Sequence, residues 1–159
     1  MPVPLTLAAA CALTGLMAAL RLRRRSACLR AWQRALTAMY ASCAYARSDC
    51  GHILRAGAYE APALRPIARA VETEGADAER LFESGVPERL LRAGERAVLL
   101  SVMRALANGN REEIAAAIAY ALERFRVFCA DSDGKRDADA RLYMTLGLLS
   151  GVCVFLILC

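Results

Sequence analysis

The chain has 159 residues, room for one domain of ordinary size, and 57% of them are hydrophobic, with 33 alanines and 23 leucines. All 37 charged side chains and the lone histidine lie between Arg21 and Arg141, with 20 uncharged residues before that window and 18 after it. This distribution argues against a fully soluble globule, and the hydrophobicity argues against long-range disorder. A charged middle, residues 21–141, stands between two apolar ends.

The first end, residues 1–20, is long enough as a helix to cross roughly 30 Å of hydrocarbon at about 1.5 Å per residue. Pro2 and Pro4 fall at its start, where proline is tolerated. A secretory signal peptide is the rival reading, but it places positive charge before the apolar run and a small-residue cleavage site after it. Here Arg21, Arg23, Arg24 and Arg25 come after the run and nothing charged precedes it. The expectation is a transmembrane helix with these four arginines as juxtamembrane anchors on anionic lipid.

From Leu22 the apolar residues keep a seven-residue repeat, Leu22, Leu29, Leu36 and Cys43 on one row and Trp32, Met39 and Ala46 on the next. That seam predicts that the first helix continues past the arginines and packs on others. A break is expected near Asp49-Cys50-Gly51. Pro62 and Pro66 limit the next stretch to short helices over 67–74 and 77–83, stopped by Gly75 and Gly85. A third stretch is expected to start near Pro87 and to culminate in 97–107, eleven residues with one charge, read as the central buried helix. Asn108-Gly109 ends it. Asn110 then caps the next helix, with Glu113 as the reciprocal partner of a capping box. That helix places Ile114, Ala117, Ile118, Ala121, Leu122 and Phe125 on one face, with Arg111, Glu123 and Arg126 away from it. Asp131-Ser132-Asp133-Gly134 reads as a turn, and a last helix is expected from about Asp137 into the second apolar end.

The second end, residues 142–159, is slightly short for a span but rich in Leu, Val, Ile and Phe, with Tyr143 placed for the headgroup region. A buried core helix is the bland alternative, and such helices seldom run so long without a charge. Every positive charge falls between the two ends, which places the middle in the cytoplasm and both termini outside. No stretch alternates apolar and polar residues with β-branched enrichment. The expected fold is all-α: a cytoplasmic bundle of about five or six helices, 21–141, between transmembrane helices 1–20 and 142–159.

Seven cysteines include no C-x-x-C pair, and their odd number in a reducing compartment argues against a disulfide framework. Cys50 and His52 stand two apart, but zinc takes three or four ligands and the chain has one histidine. The same scarcity argues against a Ser-His-Asp or Cys-His hydrolase. Aligning Asp131-Ser132-Asp133-Gly134 with a calcium loop puts Cys129 at the first ligand and Ala140 at the last, where a glutamate is required. Gly134-Lys135-Arg136 lacks the upstream glycine and the Ser/Thr of a phosphate loop. Neither apolar end holds the charge that intramembrane ion chemistry needs. A nucleic-acid binder would interleave aromatics or polar readers with its arginines, and this basic stretch has only Trp32, already on the seam. The expectation is a non-enzymatic protein with no cofactor, no metal and no nucleic acid. Gly147 and Gly151, with Ser150 adjacent, form a G-x-x-x-G pattern that lets another helix backbone approach closely, for instance the small residues of the first end.

The run Ala140-Arg141-Leu142-Tyr143-Met144-Thr145-Leu146-Gly147-Leu148-Leu149-Ser150-Gly151 resembles the approach to the last span in the stage III sporulation protein AB family of endospore formers. A looser likeness covers residues 90–122, where the family has a buried helix, a tight turn and an amphipathic helix. The family's turn usually reads Leu-Gly-x-Ser-Asp followed by a glutamine. Here it is Leu106-Ala107-Asn108-Gly109-Asn110, with Ile114 in the glutamine's place, and 50–66 matches poorly. The resemblance implies a membrane component of the channel between mother cell and forespore, on the mother-cell side in the outer forespore membrane. Its cytoplasmic bundle would resemble the F domain of type II secretion platforms. It would dock the secretion-type ATPase of the same complex, beside other membrane proteins of the channel. An F-like inner-membrane platform of another secretion or pilus system is the alternative, and a small membrane enzyme or metal protein using Cys50 and His52 is a third reading.

Overall fold

A computed structural model describes residues 2–45, 49–75, 77–85 and 91–158, without the side chains of 2–12, 15, 19, 74, 135–141, 143–144, 147–148, 150–151 and 154–158. Among the described residues six α-helices succeed one another: α1 Pro2–Tyr45, α2 Cys50–Glu60, α3 Arg65–Glu74, α4 Ala78–Gly85, α5 Ala93–Asn108 and α6 Arg111–Leu158. A 3-10 turn, Pro62–Leu64, joins α2 to α3, and no strand occurs among the described residues. The chain forms two compact units, one of Cys28–Cys129 and one of the segments Met1–Ala27 and Ala130–Cys159.

The core of the Cys28–Cys129 unit uses the seam read from the sequence. Leu29, Trp32, Leu36, Met39 and Cys43 of α1 are buried, while Ala46 lies outside the described residues. On α5, Val98, Leu99, Val102, Met103 and Leu106 are buried. Its other side, Ala97, Ser101 and Arg104, is exposed, so this helix is central without being covered all round. On α6, Ile114, Ile118, Ala121 and Phe125 are buried, Ala117 and Leu122 are half-buried, and Arg111, Glu123 and Arg126 are exposed.

Local chemistry sets most helix ends. Pro66 sits in the first turn of α3, where its missing N–H costs nothing. Gly75 closes that helix at φ 61°, a left-handed conformation that a side chain disfavours, and donates its N–H to the Val71 carbonyl. The Asp77 carboxylate accepts the Glu79 N–H at 2.9 Å and so starts α4. The Asn110 side chain accepts the Glu113 N–H at 2.9 Å, and the Glu113 carboxylate accepts the Asn110 N–H at 3.1 Å. That is the capping box expected at this point.

Three expectations need correction or addition. The buried helix starts at Ala93 rather than near Pro87, which lies outside the described residues. Arg92 is extended, and the Glu95 carboxylate accepts its N–H at 2.7 Å, which fixes the start. The expected turn at 131–134 is helical, and α6 runs unbroken through it. A single helical glycine costs only about 1 kcal/mol against alanine, too little to stop a helix already propagating on both sides. Helix α2 has no counterpart among the short helices expected. It buries Ile53, Leu54, Gly57 and Ala58. A Cβ on Gly57 would lie 2.7 Å from the Met39 side chain, so the glycine lets α2 close on α1.

The other unit consists of the two helical ends. Helices α1 and α6 run through residues 2–20 and 142–158 without a break. Many side chains of the expected spans 1–20 and 142–159 lie outside the described residues, and among the described residues no helix is long and apolar enough to cross a membrane. Leu13, Leu16, Met17 and Leu20 of α1 and Leu142, Leu146, Leu149 and Val152 of α6 are exposed.

Candidate docking surface

The one pairing in the sequence that suggests metal or nucleophile chemistry is Cys50 with His52. Cys50 is half-buried at the start of α2, and its thiol donates to the Leu106 carbonyl at 3.1 Å. Burial pushes this thiol up from its ordinary range, and the Asp49 carboxylate pushes it further in the same direction. A thiol held protonated is a poor nucleophile and a poor metal ligand. His52 is exposed on the same helix, and no group of three His, Cys, Asp or Glu side chains that could hold a metal ion occurs among the described residues. Because the thiolate form is disfavoured, Cys50 is expected to react with iodoacetamide at pH 8 more slowly than in an unfolded control, as read by peptide mass spectrometry. Its rate should rise only at more alkaline pH. A rate equal to that of the denatured chain would remove the argument.

Charge on the Cys28–Cys129 unit is used largely to tie helices together. Arg34 pairs with Glu60 at 3.0 Å, joining α1 to α2, and Arg55 pairs with Glu72 at 2.9 Å, joining α2 to α3. The Arg104 guanidinium donates to the Glu79 carboxylate, joining α5 to α4. Arg96 donates to the Glu83 carbonyl at 2.8 Å, near the end of α4. Such pairs are exposed and individually worth little, but they fix register between short helices.

Arg65 and Arg69 differ from these. They stand one turn apart on α3, and no carboxylate pairs with either among the described residues. With Arg55 and Glu72 they rim an open groove of about 520 Å³ between α2 and α3, floored in part by the buried Ala58 and Ala68. Arg65 Nε donates to the Ala58 carbonyl at 3.4 Å. No motif and no apolar periodicity in the sequence singles out these arginines. The i, i+4 spacing of Arg65 and Arg69 is the available signal, but Arg55 joins them only through the packing of α2 on α3.

The residues assigned from sequence to lipid contacts lie in the other unit. Arg21, Arg23 and Arg24 are exposed on α1, Arg25 is half-buried, and the Ser26 hydroxyl donates to the Arg23 carbonyl at 3.1 Å. Gly147, Ser150 and Gly151 fall within α6, and their packing lies outside the described residues.

The family profile of stage III sporulation protein AB matches residues 4–159. The chain belongs to this family. No curated protein and no solved structure matches it. The match extends through both helical ends as well as the bundle, so the family pattern takes in the apolar ends and the charged middle together.

Proposed function

We propose that this sporulation protein is a non-enzymatic membrane scaffold whose helical bundle docks the secretion-type ATPase of the same complex. The observation that carries the membrane part of this reading is the set of exposed leucine, methionine and valine side chains on both uncharged ends, Leu13 to Leu20 and Leu142 to Val152; the docking part is what membership of the family implies. Apolar side chains left uncovered at helical spacing call for lipid or another protein. Confinement of every charge to 21–141 supports lipid, with the bundle on the cytoplasmic side and Arg21, Arg23, Arg24 and Arg25 at the headgroups. The G-x-x-x-G spacing of Gly147 and Gly151, with Ser150 adjacent, is the sequence pattern that close helix packing within the bilayer would use. A bundle tethered at both ends presents a fixed surface to a soluble motor, which supplies the nucleotide chemistry.

Two measurements test the reading. A tag at residue 100 should be reached only after the cytoplasmic face is opened, and the full chain in detergent should retain the ATPase in a pull-down. Recovery of the chain wholly in the aqueous fraction, or a tag labelled from outside, would overturn the membrane arrangement. Retention of the ATPase by the double variant Cys50→Ser, His52→Ala is expected at the wild-type level, and its loss would favour the metal reading.

A further inference from the structure

No described carboxylate pairs with Arg65 or Arg69, and the inter-helix bond between them is the long one from Arg65 Nε to the Ala58 carbonyl. Like charges at i, i+4 on a helix repel, so their placement weakens α3 rather than supporting it. The hydrogen bond to the Ala58 carbonyl engages only Nε of Arg65, and its terminal amino groups keep their capacity to donate. Beside it, the floor of Ala58 and Ala68 has no side chain beyond Cβ and can take the aliphatic stem of a ligand. The groove thus combines a shallow apolar floor with two guanidinium groups that no described carboxylate compensates, each able to grip a carboxylate by two parallel hydrogen bonds.

We propose that the groove between α2 and α3 takes an acidic segment of a partner protein, with Arg65 and Arg69 as the residues that grip its carboxylates. The assignment rests on the docking reading, under which that partner is the ATPase. Charge and shape favour a protein segment over the other anions. Affinity for a duplex is built from many phosphate contacts, whereas this groove offers the two charges of Arg65 and Arg69. A bilayer presents a plane of headgroups, which a concave groove with an apolar floor matches poorly.

The test uses the full chain in phosphatidylcholine nanodiscs and purified ATPase. Arg65→Glu/Arg69→Glu should weaken binding by roughly tenfold or more, and rising salt should weaken the wild type. Arg126→Glu, on α6 and outside the groove, should bind as the wild type does. Unchanged Trp32 fluorescence verifies the fold, and Arg69→Glu alone serves if the double variant unfolds. Equal binding by wild type and the groove variants overturns the groove while leaving the docking reading intact. No binding by the wild type overturns the docking reading and, with it, this assignment. Loss of binding to phosphatidylglycerol vesicles, with ATPase binding retained, would assign the groove to the membrane and overturn the proposal.

Discussion

Replacing Phe82 by alanine should lower stability by about 3–5 kcal/mol, the usual cost of deleting a buried aromatic ring. Phe82 is fully buried on α4, and its ring meets that of Trp32 on α1 edge-on, with centroids 6.0 Å apart and planes at 75°. An eight-residue helix is far too short to persist alone in water, so α4 depends on this anchor and on buried Ala78. Total stabilities of ordinary domains are about 5–15 kcal/mol, which makes the expected loss a large fraction of the whole. Trp32 is the sole tryptophan, so its emission reports this contact without interference. Denaturation of the full chain in mild detergent should show an earlier midpoint and a native emission shifted to the red. Phe82→Leu should recover much of the loss. An unchanged midpoint and emission in Phe82→Ala would mean that α4 is not seated on Trp32.

Arg111→Ala should cost about 1–2 kcal/mol, less than a buried charged hydrogen bond because the guanidinium is exposed. Arg111 is the first residue of α6, yet its side chain closes the end of α1. Its Nε and Nη2 donate to the Cys43 carbonyl at 3.0 and 2.8 Å, and Nη2 also donates to the Ala44 carbonyl at 2.9 Å. The last carbonyls of a helix have no partner within it and carry the negative end of its dipole, so a cation there is doubly favoured. Hydrogen exchange over residues 42–45 should accelerate in Arg111→Ala. Arg111→Lys should restore only part of the protection, since an ammonium cannot reproduce the planar fork. Exchange unchanged in both variants would show that water replaces the guanidinium at no cost.

Interactions within a few turns account for the features that were legible in the amino-acid order alone. The seam of Leu29, Trp32, Leu36 and Met39, the Asn110–Glu113 box and the stop at Gly75 each depend on side chains and backbone groups close along the chain. The family pattern at the second apolar end is likewise a local run of residues. Long-range packing settles the rest. Helix α2 was hidden because Asp49-Cys50-Gly51 reads as a break, whereas in the fold Gly51 lies against Glu72 and Gly57 against Met39. The stretch 131–134 has turn residues, but propagation from the helix on both sides outweighs their weak local preference. The arginine groove exists only because α2 packs on α3, which sets Arg55 beside Arg65 and Arg69. Periodicity and caps are short-range and readable in one dimension, whereas a surface shared by two helices depends on a pairing that no single segment encodes.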